Sequence, residues 1–63
     1  MDAAEQIKRD KLLATRQEYI DEITRVRAQV KAGKVSASYA LGVETDLAAK
    51  IIRLNRRIGP AAS

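Results

Sequence analysis

VKAGKVSASYALGV, residues 30–43, decides the fold, because a helix must end inside it and a second element must begin. Gly33 is the natural C-cap glycine of whatever precedes it, and Lys31 suits the negative end of a helix dipole. Beyond Lys34 the stretch reads in two ways. Val35, Ala37, Tyr39, Leu41 and Val43 fall at alternate positions, the period of a half-buried strand. The same residues allow a helix beginning at Ser36 or Ser38, with Gly42 tolerated at a cost of about 1 kcal/mol. Their alanine content favours the helix, whereas Gly42 followed by Val43 favours the strand.

The segment before this stretch predicts one long helix over residues 3–32. Leu12, Tyr19, Ile23, Val26 and Val30 advance by helical steps onto one stripe, which Leu13 and Ile20 widen on one flank. Strong helix formers fill the gaps. Asp2 with Glu5 offers a start resembling a capping box, and Asp21 with Arg25 an i,i+4 ion pair. After the stretch, Leu47, Ile51, Leu54 and Ile58 mark a second stripe, broadened by Ile52, with Thr45 as a candidate cap. Gly59-Pro60 ends it. The sequence therefore predicts an all-α helical hairpin: helix one near 3–32, a turn at 33–36, helix two near 37–58 and a frayed tail at 59–63.

Such a chain is too small to bury a full core. With 63 residues it hides roughly 60% of its unfolded surface, and a core of that size rarely gives more than about 3–5 kcal/mol. Leu12, Tyr19, Ile23, Val26, Val30, Leu47, Ile51, Leu54 and Ile58 are thus expected to form both the core and a protein interface. A homo-oligomeric helical bundle, or docking into a larger protein, would complete it.

Composition removes most chemistry. The chain has no Cys and no His, so thiolate metal sites, Cys nucleophiles and the commonest general base are excluded. Glu18, Asp21 and Glu22 form the one acidic cluster, which lacks the His that carboxylate metal sites in bundles add. Ala32 to Ser36 superficially suggests a phosphate loop but lacks its upstream glycine, and Val35 stands in the Ser/Thr place. The expectation is a non-enzymatic protein with no cofactor, metal or small-molecule substrate. No signal-peptide pattern opens the sequence and no apolar run could span a bilayer, so a soluble, cytoplasmic or virion location is expected.

Charge is the remaining functional signal. The net charge is +4, and residues 34–63 carry five Lys or Arg against two acids. Lys50, Arg53 and Arg57 follow one another by helical steps, with Arg56 at the edge. They form a candidate contact for nucleic acid or an acidic protein, which makes a small basic nucleic-acid binder, built as a dimeric four-helix bundle, the alternative function. Missing Trp and Phe argue against a membrane-surface role.

The order of elements resembles the small phage head-completion proteins of the gpW type, which join head to tail. The matching residues are Ala32-Gly33-Lys34 as the turn, Val35 to Leu41 as a first strand, and Val43-Glu44-Thr45. Asp46-Leu47-Ala48-Ala49 would open the second helix and Arg53 to Gly59 close it. That resemblance implies a short β-hairpin between the helices, a ring of copies at the virion neck and a structural role in virion assembly.

Overall fold

A computed structural model of the chain describes residues 3–59. It contains two helices, α1 (Ala3–Lys31) and α2 (Ala37–Ile58), and no strand among the described residues. The ambiguous linker is therefore helical from Ala37 onward. The strand that the resemblance implies at Val35 to Leu41 does not form.

Local capping explains that outcome. Gly33 has φ of 74°; its N–H donates to the Val30 carbonyl at 3.0 Å, and the Lys34 N–H to the Gln29 carbonyl at 2.9 Å. This is a Schellman turn, which closes α1 and satisfies carbonyls left open by the last helical turn. Ser36, in extended conformation, then starts α2: its hydroxyl accepts from the Tyr39 N–H at 3.1 Å. Two caps three residues apart leave no length for a strand.

Thr45 is not a cap. It lies inside α2, and its hydroxyl donates to the Leu41 carbonyl at 2.8 Å. The expected Asp21–Arg25 pair is replaced by a hydrogen bond from Gln17 to Asp21 at 3.0 Å. Asp2 of the proposed capping box and residues 60–63 of the tail lie outside the described residues.

A Cβ added at Gly33 would meet nothing within 4 Å, so substitution there tests the backbone alone. Gly33→Ala is expected to cost about 1–2 kcal/mol, the penalty of an L-residue in the left-handed region. A thermal melt followed by circular dichroism would show it; an unchanged midpoint would mean that the turn rearranges freely.

The helices run antiparallel along a heptad seam. In α1 the a positions are Arg9, Arg16, Ile23 and Val30, and the d positions are Glu5, Leu12, Tyr19 and Val26. In α2 they are Ala37, Glu44, Ile51 and Ile58 at a, and Ala40, Leu47 and Leu54 at d. Val26, Ala40, Leu47, Leu54 and Ile58 are the buried residues. Of the expected core, Leu12, Tyr19, Ile23, Val30 and Ile51 are half-buried.

The result is long and thin, 48 × 16 × 15 Å. Its radius of gyration is 14.5 Å, whereas a compact domain of this length would have about 11 Å. The accessible surface is 4993 Å², against about 4,000 Å² for a compact monomer of the same mass.

Candidate interaction surfaces

Four cross-helix contacts fix the register. Arg27 Nε donates to Glu44 Oε1 at 2.7 Å, and the Lys50 ammonium sits 5.7 Å from the Tyr19 ring centroid. Arg16 donates to Asn55 Oδ1 at 2.8 Å, and Arg9 to the Ile58 carbonyl at 3.5 Å. Numbers fall along α1 as they rise along α2, from the turn to the open end.

At about 100° per residue, each e position lies beside a, and each g beside d. An antiparallel pair therefore has two distinct sides. One is formed by the a and e positions of both helices with their b neighbours, the other by d, g and c. The contacts agree with this division: Arg27 (e) meets Glu44 (a) on the first side, and Lys50 (g) meets Tyr19 (d) on the second.

The first side is apolar. It carries Leu13 and Ile20 from α1 and Leu41, Ala48 and Ile52 from α2. Ile20 is 40% exposed, Leu41 65% and Ile52 54%. Near the turn, Val30, Ala37, Ala40 and Leu41 line a shallow apolar groove edged by Arg27, Lys31 and Glu44. Among the described residues, Arg27–Glu44 is the one ion pair of the hairpin, and it stands on this side, as do Arg9 and Arg16. With Arg27 69% and Glu44 25% exposed, that pair adds at most about 1 kcal/mol. Its greater effect is to hold Arg27 along the seam and off the apolar row.

The second side is charged. Toward the turn it carries Glu18, Glu22, Arg25 and Asp46; toward the open end it carries Glu5, Lys8, Lys11, Arg53 and Arg57, with Lys50 between the two groups. All of these residues are exposed. Lys8, Arg9 and Arg57 also line a cleft at the open end, together with Glu5, Gln6, Leu12 and Ile58. Arg56 faces away from the seam at an f position.

These placements divide the expected interface. Val26, Leu47, Leu54 and Ile58 are consumed inside the hairpin, so they are the floor of any contact with another molecule rather than its surface. The exposed apolar row lies instead on the flanking positions. The basic row divides too: Lys50 leans over Tyr19, whereas Arg53 and Arg57 stand free of carboxylate partners among the described residues.

Reading the sequence for apolar steps missed the polar members of the seam. Stepping back by sevens from Ile23 reaches Arg16 and Arg9, and stepping back from Ile51 reaches Glu44. The period was present; the residue type concealed it.

No family profile, curated protein or solved structure matches this chain.

Proposed function

We propose that this chain is a non-enzymatic structural or adaptor protein whose helical hairpin completes its core by docking a second copy of itself on the apolar side. The observation that supports this is the row of Leu13, Ile20, Leu41, Ala48 and Ile52, large parts of which lie open to water beside a core of five buried residues. The accessible surface exceeds that of a compact monomer by about 1,000 Å², close to the ~800 Å² per partner that a standard interface covers.

Charge selects the orientation. On the apolar side Arg27, Lys31 and Glu44 lie toward the turn and Arg9, Asp10 and Arg16 toward the open end, so the choice rests on the basic open ends as wholes. Antiparallel docking brings the Asp10 end of one copy to the Lys31 end of the other. Parallel docking would instead stack two basic open ends. The favoured arrangement is a two-fold dimer, a four-helix bundle with its open ends at opposite poles.

Light scattering on a sizing column, at low and high salt, tests this reading. A particle of twice 6.9 kDa at both salts is expected. A discrete larger ring would favour the head–tail connector role that the gpW-type resemblance implies. A monomer at high concentration would overturn self-association and direct the search to a different protein.

A further inference from the structure

Folding back on itself redistributes the charge of the chain. By sequence, residues 1–33 carry seven cations against six acids and look nearly neutral. In the hairpin, Lys8, Arg9, Lys11 and Arg16 of α1 come to the same end as Arg53, Arg56 and Arg57 of α2. Seven cations then face two described acids, Glu5 and Asp10, at the open end. The turn half, residues 17–50, balances five cations with five acids. The whole excess of positive charge belongs to one pole.

We infer that this open end binds the phosphodiester backbone of a nucleic acid, through Lys8 and Lys11 on α1 and Arg53 and Arg57 on α2. Each helix supplies two like charges at helical spacing, an arrangement that costs the isolated fold a few tenths of a kcal/mol per pair. None of the four has a carboxylate partner among the described residues. They form one row on each helix, both on the charged side, with Lys8 and Arg57 lining the cleft between them. Arginine adds a planar fork that meets phosphate oxygens two at a time.

The geometry disfavours two other anionic partners. An interfacial helix on a membrane needs a face of apolar residues beside its cations; here Ile7 stands exposed near Lys8 and Lys11, but the apolar row occupies the opposite side. A broad acidic protein surface would extend past the pole onto Glu18, Glu22 and Asp46, on the same side as the cations and one step toward the turn. A short stretch of phosphates needs only the pole. The inference does not depend on self-association, because antiparallel docking leaves both open ends free.

Fluorescence anisotropy with a labelled 12-base-pair DNA duplex, and with an RNA duplex of equal length, tests the site. Four phosphate contacts predict a slope of log K against log salt of about −3.6, or roughly 150-fold weaker binding between 50 and 200 mM salt. Lys8→Gln with Lys11→Gln should halve that slope. Lys8→Glu with Lys11→Glu should remove binding, whereas Arg25→Glu with Lys34→Glu, an equal change in net charge at the turn half, should alter it less than about threefold. Circular dichroism on each variant confirms that helix content is kept; the exposed Gln pair stands in if the Glu pair unfolds. Tighter binding of one duplex than the other identifies its source.

Equal loss from the two Glu pairs would overturn the site, because net charge alone would then explain the binding. A slope unchanged by the Gln pair would also overturn it. Tighter binding to phosphatidylserine vesicles or to polyglutamate than to either duplex would assign the pole to a membrane or an acidic protein instead.

Discussion

Leu47→Ala is expected to leave most of the protein unfolded at room temperature and micromolar concentration, with the helical circular dichroism signal largely lost. Leu47 is 5% exposed and occupies the central d position of α2, seven residues from Ala40 on one side and from Leu54 on the other. Truncating a buried leucine costs about 2–5 kcal/mol, the lost transfer energy plus the cavity left behind. A core of this size supplies only about 3–5 kcal/mol in total. The substitution therefore removes most of what holds the helices together. Leu41→Ala deletes the same atoms from a side chain that is 65% exposed; it should cost the hairpin itself well under 1 kcal/mol, and any further cost through the proposed dimer should fall away on dilution. Thermal melts of the two variants across one dilution series give the comparison, read at the concentrations where the melt no longer depends on dilution. A Leu47→Ala penalty no larger than that of Leu41→Ala would show that the seam does not hold the fold. Raising the concentration should rescue Leu47→Ala in part, since association of folded copies draws the equilibrium toward them.

Helix existence and length were legible because steps of three and four run through both segments and Gly33 marks the break. The linker was not decidable from periodicity, since Ala37, Tyr39 and Leu41 fit both a strand and a helix. The Ser36 cap and the Gly33 turn settle it through backbone geometry, which a pattern of apolar residues does not contain. The candidate surfaces were less legible for a different reason. Ile20 and Ile52 each appear as the fringe of a stripe when read alone; they become one apolar side only when antiparallel pairing sets the e and b positions of one helix beside those of the other. Lys8 and Lys11 were counted into a neutral N-terminal half for the same reason. Sequence order separates them from Arg53 and Arg57 by more than forty positions, and the fold brings the two rows to one pole. Thr45 shows the opposite error, a good cap residue whose position inside α2 made its hydroxyl a back-bonding group instead.

If the proposed dimer forms, Ile52→Glu is expected to convert it to a monomer while Tyr39→Glu leaves it intact. Both side chains are large, apolar and open in the hairpin, 54% and 59% exposed, so neither change removes an internal contact of note. They differ in where they stand. Ile52 is a b position beside Ala48 on the apolar side, whereas Tyr39 is a c position on the charged side. In the two-fold bundle, Ile52 is covered in both copies, so a single substitution places two carboxylates in the interface. Burying an unpaired charge costs about 3–5 kcal/mol, which weakens dimerisation by at least roughly 100-fold. Sedimentation equilibrium across a concentration series reads that shift directly. The Asp10–Lys31 orientation makes a further distinction: Lys31→Glu should weaken the dimer modestly, and adding Asp10→Lys should restore it, as a charge swap across an antiparallel contact requires. Dissociation by Tyr39→Glu with Ile52→Glu still dimeric would move the interface to the charged side. It would also cover Arg53 and Arg57, so the nucleic-acid site and the dimer would then compete. The proposed dimer and the proposed phosphate site are compatible on one hairpin only because the apolar row and the Lys8, Lys11, Arg53 and Arg57 rows lie on opposite sides of the same seam.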